Sequence, residues 1–362
     1  MTFAVIVFLV ITLVFFFIAS SLGGCKNTTP KQLNICTWEG YVPEAAITLF
    51  EQETGIKLNI AFATDNQRML ALIKGGGKAD IVMPTQSNIN RYYEADLVQP
   101  LDLKNIKNYE KVSESFKDEL WTKWNGKQMG SGDVYAIPYV FGTSGLVLNT
   151  SKYTKSLEDI GWEVLFDTDL KGRVSSRNNI ESLMLILDLY GIPRENFVTD
   201  TQDTLYSIRD KAIALKNNAL KFYTTNAEIS DLLKNEEVWV SHIWDGGGRK
   251  LSQFDPKFVF TLPKTGGLGW TDAFMILKNA ANPVGANLFI DFMLRPEIAA
   301  MLTEQSGFKT TVKGALEMAK GIDKDLYSFT DEQLAKLKWN PNLSEDAMSS
   351  YIAFQEELST VQ

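Results

Sequence analysis

The chain has 362 residues, 45% of them hydrophobic and 22% charged, which is typical of a soluble globular protein with about two domains. Its 36 Lys and Arg residues against 44 Asp and Glu residues give a net charge of −8 and argue against nucleic acid as a partner, because phosphate binding needs basic patches. A single histidine, His242, and two cysteines are too few for the usual zinc sites, so we expect no metal ion.

An export segment begins the chain. The unbroken apolar run from Phe3 to Ala19 predicts a signal peptide over residues 1–24, and Leu22-Gly23-Gly24-Cys25 resembles the lipobox of bacterial lipoproteins, whose cysteine is acylated. Met1-Thr2 lacks the usual positive charge, which leaves an uncleaved N-terminal anchor helix as the alternative. We expect residues 25–31 to be a lipidated N-terminus and polar tether on an exported protein, facing the periplasm or the outer surface of the cytoplasmic membrane.

Predicted strands and helices alternate along the rest of the chain. A strand at 33–37 contains Cys36, which we expect to be a buried free thiol, and Asp65 can cap a helix that ends at Lys74. Further strands are predicted at 56–63, 80–83, 135–140, 145–148, 238–243, 258–262 and 273–276. Further helices are predicted at 43–54, 87–95, 179–189, 203–217, 283–294, 296–306, 331–337 and 344–358.

This alternation indicates an α/β fold with a largely parallel sheet and helices on both faces. Two such units, joined where glycine-rich segments cross between them, predict a hinged protein with two lobes. A cleft between lobes is the expected ligand site.

No motif indicates catalysis. Gly75-Gly76-Gly77-Lys78 lacks the spacing of a phosphate loop, and Gly246-Gly247-Gly248 lacks that of a dinucleotide fingerprint. His242 alternates with Val240 and Trp244 in a strand pattern, which favours a structural histidine over a catalytic base, and there is no GxSxG elbow. We therefore predict a protein that is not an enzyme and has no cofactor.

Three tryptophans stand close to carboxylates at strand ends, in Trp38-Glu39, Trp244-Asp245 and Trp270-Thr271-Asp272. In open α/β sheets, ligands bind at the carboxyl ends of strands. An indole face attracts an ammonium group by about 0.5 to 2 kcal/mol, and a hydrogen-bonded carboxylate adds about 1.5 to 3 kcal/mol. Packing would explain any one of these tryptophans taken alone, but the three groups together predict a site for a cationic amine with an apolar stem.

At these residues the chain resembles the periplasmic spermidine/putrescine-binding proteins, the substrate-capturing subunits of polyamine ABC importers. The segments that carry the resemblance are 33–42 (LNICTWEGYV), 80–85 (DIVMPT), 136–142 (AIPYVFG) and 266–272 (GGLGWTD). The resemblance implies a two-lobed type II periplasmic binding protein that is monomeric and delivers a polyamine to membrane permease subunits. We assign residues 32–140 and 270–312 to the first lobe and residues 141–269 and 313–362 to the second.

The resemblance also implies roles for residues of the cleft. Trp244 and Trp270 would sandwich the methylene chain of the ligand, and Asp272 and Glu181 would each bind an amine. Thr85 would take the place of a hydroxyl ligand. The full predicted ligand-binding set is Trp38, Glu39, Tyr41, Thr85, Glu181, Trp244, Asp245, Trp270, Asp272, Phe308 and Asn340.

Four positions depart from the family pattern. Gly40 stands where some members have an acid, although Glu39 is adjacent, and Asn178 replaces an acid near Glu181. Phe308 replaces a tyrosine and Asn340 a glutamine. Fewer carboxylates leave the choice among putrescine, spermidine and another cationic amine open.

Other functions remain as alternatives. The same fold would serve for an amino acid, a sugar or an oxyanion, but an oxyanion would need a basic clamp that we do not find in the sequence. An envelope enzyme would need a nucleophile and a base. A structural or adhesive surface lipoprotein would have no need of the Trp and Asp groups.

Lipidation of Cys25 is directly testable. Acyl chains contribute about 0.8 kcal/mol per buried methylene, so several chains hold a protein stably on a membrane. Growth with a radioactive fatty acid should label the wild type and leave Cys25→Ser unlabelled. Equal labelling of the two proteins would contradict the prediction.

Overall fold

The computed structural model describes residues 31–361, except residues 118, 158 and 328–330. The predicted signal peptide and the predicted lipidation site, Cys25, lie outside the described residues. Each helix in the described part of the chain is too short or too polar to cross a bilayer. Cys36 lies in the core, and burial raises the pKa of its thiol.

Strands and helices alternate as the sequence predicts. The strands are β1 Gln32–Thr37, β2 Lys57–Phe62, β3 Ile81–Val82, β4 Val98–Gln99, β5 Lys123–Trp124, β6 Asp133–Val134, β7 Ile137–Asn149, β8 Val174–Arg177, β9 Ala219–Tyr223, β10 Val240–Trp244, β11 Phe258–Thr261, β12 Leu268–Leu277, β13 Lys309–Thr310 and β14 Lys338–Trp339. The α-helices are α1 Glu44–Thr54, α2 Asn66–Lys74, α3 Ile89–Glu94, α4 Glu114–Lys117, α5 Glu181–Leu189, α6 Asn196–Thr199, α7 Thr201–Asn218, α8 Asn226–Lys234, α9 Asp245–Phe254, α10 Pro283–Met293, α11 Pro296–Ser306, α12 Ala315–Met318, α13 Asp331–Ala335 and α14 Glu345–Thr360.

Local signals predicted several helix ends correctly. Asp65 caps α2, where its carboxylate accepts a hydrogen bond from the Arg68 backbone N–H at 2.7 Å. Gly55 ends α1 with φ of 69°, the left-handed conformation that favours glycine. These helix ends follow from residues a few positions apart, which is why the sequence alone predicts them.

The predicted break between strands 135–140 and 145–148 is wrong, because β7 runs through it as one strand. Residues of β7 pair antiparallel with β12 through this stretch, and the ladder keeps the backbone extended. Gly142 makes the close pairing possible, since an added Cβ there would lie 2.4 Å from Cζ2 of Trp270. The strand predicted at 273–276 is likewise only the second half of β12.

Helix α9 was not predicted because three glycines in its first turn, Gly246-Gly247-Gly248, have low helix propensity. Packing overrides that propensity here. A Cβ on Gly246 would lie 2.5 Å from Phe308, and one on Gly248 would lie 2.4 Å from Phe260. The glycines therefore allow α9 to lie directly against its neighbours.

A 12-stranded sheet runs through the molecule in the order β2-β1-β3-β12-β7-β10-β8-β9. Strands β11 and β13 also pair with β7, and β4 and β14 with β12, whereas β5 and β6 form a separate hairpin. The outer pairs β1/β2 and β8/β9 are parallel, but β7 pairs antiparallel with both β12 and β10. The expected largely parallel sheet is therefore mixed, because β7 leaves the first half of the sheet and β12 returns to it in the opposite direction.

The hydrophobic core is divided along β7 and β12. One cluster takes its buried residues from 33–140 and 270–315. A second, from 146–268 and 343–354, lies under α5, α7 and α14, and a third, between 147 and 258, packs α8 and α9 with β7, β9, β10 and β11. The core therefore changes from one cluster to the next within β7 and β12, and the lobe boundaries expected from the sequence stay a prediction.

Besides β7 and β12, the segment before α14 also connects the two halves of the molecule. The Leu343 backbone N–H donates to the Ser87 carbonyl at 2.8 Å, and Asn90 Nδ2 donates to the Leu343 carbonyl at 3.0 Å. Glu345, in the first turn of α14, pairs with the buried Arg91 at 3.0 Å and with Lys74 at 2.7 Å. Arg91 lowers the pKa of the Glu345 carboxyl to about 2.

A buried ion pair in the second half should contribute strongly to stability. Arg194 Nη2 lies 2.6 Å from Asp188 Oδ2, and both side chains are about 5% exposed or less. Arg194→Met leaves Asp188 buried with only Lys338, at 3.3 Å, nearby. We expect the free energy of unfolding in urea to fall by about 2 to 3 kcal/mol, since a buried charge that loses its partner is costly.

Arg209→Met, which breaks the exposed pair with Glu357, should leave the urea midpoint unchanged within error. Equal midpoints for both variants would contradict this view of the core.

Candidate functional site

A cavity of about 340 Å³ lies between the first and second core clusters, next to the crossing strands. Eight of the predicted residues lie on its wall: Trp38, Tyr41, Thr85, Glu181, Trp244, Trp270, Asp272 and Asn340. Most of them are at or near the end of a strand or helix, whereas Asp272 lies within β12. The first core cluster and the loops around it supply one side of the wall. Strand β10 and helices α5 and α14 supply the other.

Asp272 is the buried acid on the side of the first core. It lies in β12 where the register with β7 shifts between Asp272 and Ala273, and it forms a bridge to Thr85. The Tyr41 hydroxyl donates to its Oδ2 atom, and its Oδ1 atom is buried with no hydrogen-bond partner in the described chain. Burial raises the pKa of Asp272 to about 7, although the Tyr41 hydrogen bond opposes the shift.

Glu181 is the buried acid on the opposite side, in the first turn of α5, where the helix dipole favours a negative charge. Trp244 Nε1 donates to its two oxygens at 3.1 and 3.0 Å, and Ser144 Oγ donates at 2.9 Å. His242 Nε2 lies 3.3 Å from Oε2. Burial alone would raise the pKa of Glu181, but the contacts with His242 and Ser144 and the positive charge of Arg177 outweigh burial and hold it below its ordinary value.

His242 supports this acid from behind. It is fully buried at the centre of β10, with Nδ1 3.1 Å from Ser176 Oγ. Burial lowers the pKa of its imidazole below the ordinary value, so the ring is neutral near pH 7. The sequence expectation of a structural histidine fits this position between a serine and the Glu181 carboxylate.

Aromatic rings form the wall between the two acids. The Trp244 and Trp270 centroids are 6.0 Å apart with planes inclined at 54°, and Trp38 meets Trp244 edge-on at 6.5 Å. A methylene chain between two rings needs a separation of about 7 to 8 Å, twice a carbon–carbon contact. No such slot exists between Trp244 and Trp270 in this arrangement, so the predicted sandwich stays a prediction for a ligand-bound state.

Three predicted ligand-binding residues are not on the cavity wall. Glu39 is exposed in the turn after β1. Asp245 is fully buried beside Arg249, whose Nη1 lies 2.7 Å from Oδ2, because both side chains start from the first turns of α9. Phe308 packs behind the wall, with its ring centroid 5.5 Å from that of Trp270 and 5.7 Å from that of Tyr41.

The structure adds wall residues that the sequence analysis missed. Tyr351 of α14 is 6% exposed, and its hydroxyl is buried with no hydrogen-bond partner in the described chain. Burial raises the pKa of that hydroxyl, and the nearby carboxylates of Asp65 and Glu181 raise it further. Asn66 holds Thr85 through hydrogen bonds of 2.9 and 3.0 Å. Strand-end patterns offer no signal for Tyr351, because α14 is brought to the cavity by the tertiary fold.

Comparison with known proteins identifies the family of the chain. A family described as "Bacterial extracellular solute-binding protein" matches residues 45–327. The chain is 24% identical to spermidine/putrescine-binding periplasmic protein 1 of Haemophilus influenzae, over 96% of this chain and 97% of that protein. It is 25% identical to the putrescine/cadaverine-binding protein of Pseudomonas aeruginosa, over 88% of this chain and 90% of that protein.

Solved structures show the same fold. A Listeria monocytogenes protein assigned to spermidine/putrescine ABC transport superposes with a TM-score of 0.81 at 27% identity, covering 92% of this chain and 100% of that one. The two-lobed periplasmic binding fold predicted from the sequence is confirmed, as is the resemblance to spermidine/putrescine-binding proteins.

The raised pKa of Asp272 predicts how stability depends on pH. Because the folded protein holds this proton more tightly than the unfolded chain, the stabilisation is present at low pH and is lost as the pH rises through about 7. Between pH 5 and pH 8 the free energy of unfolding of the ligand-free wild type should fall by about 2 kcal/mol more than that of Asp272→Asn. Urea titrations of both proteins at the two pH values measure the difference. Parallel pH profiles would mean that Asp272 is ionised throughout this range.

Proposed function

The chain belongs to the family of bacterial extracellular solute-binding proteins, and on that premise we propose that it captures a polyamine and delivers it to the permease of an ABC importer. The observation that carries the proposal is the pair of buried acids, Asp272 and Glu181, on opposite sides of one aromatic cavity. A linear amine with an ammonium group at each end matches this arrangement. The names of the related proteins, which specify spermidine, putrescine or cadaverine, support the same class of ligand.

Each end of the ligand would find a defined partner. Asp272 Oδ1 is free to accept a hydrogen bond from an ammonium, while Tyr41 holds Oδ2 in place. Glu181 is held ionised by its protein donors and attracts the second ammonium. The rings of Trp38, Trp244 and Trp270 provide apolar and cation–π contacts to the stem.

Closure of the lobes would be the mechanism of capture. Asp272 lies beside the first core cluster and Glu181 belongs to α5 of the second, so a ligand touches both only when the lobes are together. Contacts made only in the closed state shift the population towards closure. Lipidation at Cys25 would keep the loaded protein near the permease.

The charges on the wall argue against an anionic ligand. Among the described wall residues, the basic side chain is Arg68, which is 75% exposed and lies 3.4 Å from Asp65. An oxyanion or the carboxylate of an amino acid would need a buried cation facing the cavity. We therefore propose a cationic amine over these alternatives, and His242 has no place in the proposal as a catalytic base.

Calorimetry of the mature protein with putrescine, with spermidine and with an amino-acid mixture tests this function. We expect the amines to bind and the amino acids not to bind. Asp272→Asn should weaken amine binding by about tenfold or more, because it removes a charge-assisted hydrogen bond from a desolvated site. Trp270→Ala should weaken binding similarly, because it removes contacts to the stem.

Trp124→Ala is the matched control. Trp124 stacks on Tyr93 at 5.0 Å and does not line the cavity, so its removal should change amine affinity less than about threefold, which is below 1 kcal/mol. Binding of the amines with unchanged affinity by both Asp272→Asn and Trp270→Ala would reject this site.

A further inference from the structure

A buried cation lies directly behind the aromatic wall of the cavity. The guanidinium carbon of Arg177 is 3.3 Å from the centroid of the Trp244 ring, and the side chain is 4% exposed. Nη1 donates to Asn226 Oδ1 and Nη2 to the Thr224 carbonyl, each at 3.0 Å. The stacking and these hydrogen bonds hold the guanidinium flat against one face of Trp244.

The charge of Arg177 is not cancelled by an adjacent acid. No carboxylate of the described chain lies within ion-pair distance of it, and its hydrogen-bond acceptors are an amide and a backbone carbonyl. Its field instead acts on the cavity groups. It lowers the pKa of the Glu181 carboxyl and of the His242 imidazole, and it partly opposes the raised pKa of Tyr41. A charge in a buried, low-dielectric site is only weakly screened.

The number of acidic residues on the cavity wall limits how many ammonium groups of a ligand can be paired there. Asp65 and Arg68 pair with each other, so Glu181 and Asp272 are the remaining described acids that face the cavity. Two ammonium groups satisfy these two acids. A third ammonium would find no further unpaired carboxylate among the described wall residues and would be repelled by Arg177 across Trp244.

We propose that Arg177 is a specificity-determining residue that favours amines with two positive charges over amines with three. Arg177 also occupies one face of Trp244, so the ligand is restricted to the remaining side of that indole. This inference rests on the proposed function, since it assumes that an amine is the ligand. It names the charge class of the amine, which the resemblance to related proteins leaves open.

The test compares putrescine, with two charges, and spermidine, with three, by calorimetry of the mature protein at two salt concentrations. The wild type should bind putrescine at least as tightly as spermidine. Arg177→Met should raise the spermidine-to-putrescine affinity ratio by about fivefold or more at low salt, because it removes one repulsive charge from the vicinity of the third ammonium. The gain should shrink at high salt if it is electrostatic.

Two controls separate charge from packing. Arg177→Lys keeps the positive charge and loses the planar guanidinium, so it should leave the ratio within about twofold of the wild type. Arg173→Met removes an exposed arginine whose guanidinium carbon lies 5.1 Å from the ring of Trp239, off the cavity wall, and should not change the ratio. If Arg177→Met does not fold, Arg177→Gln, which retains polar contacts, replaces it.

The outcomes distinguish the two proposals. An unaltered ratio in a folded, uncharged Arg177 variant that binds both amines overturns the role of Arg177. A wild type that prefers spermidine by more than tenfold overturns it without any variant. Failure of the wild type to bind either amine overturns the proposed function itself.

Discussion

The antiparallel pairing of β7 with β12 is the constraint on which the rest of the structure depends. β7 passes from the first core cluster to the second and β12 passes back, so each half of the molecule contains part of each strand. The cavity lies beside this crossing, and the same ladder positions Trp270 and Asp272 on β12 and Ser144 on β7. A close contact at Gly142 keeps the ladder tight against the Trp270 ring. The site is therefore built partly from the strands that connect the two halves of the molecule.

The two buried acids at the cavity have different surroundings and different protonation. Glu181 accepts hydrogen bonds from Trp244 and Ser144 and is ionised. Asp272 has the Tyr41 hydroxyl on one oxygen and no partner in the described chain on the other, and burial raises its pKa to about 7. A cation arriving at Asp272 stabilises the ionised form, so binding there is coupled to release of a proton at neutral pH and below. Glu181 is therefore charged before the ligand binds, whereas Asp272 becomes fully ionised when a cation binds beside it.

Sequence reasoning succeeded where the signal is local and lost accuracy where packing overrides it. The caps of α1 and α2 and the alternation of strands with helices follow from residues a few positions apart. Helix α9 begins with three glycines that read as a loop, and β7 contains a glycine pair, Gly142 and Gly145, that reads as a break. In both cases the glycines serve close packing against side chains from elsewhere in the chain. Because β7 continues through this stretch and pairs antiparallel with β12 and β10, the sheet is mixed and not largely parallel.

The sequence by itself determined the α/β class, the tryptophans beside acids and the resemblance to polyamine-binding proteins, because these depend on composition, periodicity and short motifs. The export segment stays a prediction from the same kind of signal. Only the tertiary structure decided which acid faces the cavity. Asp245 and Asp272 both follow a tryptophan, yet Asp245 turns to Arg249 in its own helix, whereas Asp272 meets Tyr41. The same holds for Arg177, which is 67 residues from Trp244 in the chain and stacks on its ring. The direction of a side chain at a strand end depends on partners brought together by folding, and no local pattern encodes them.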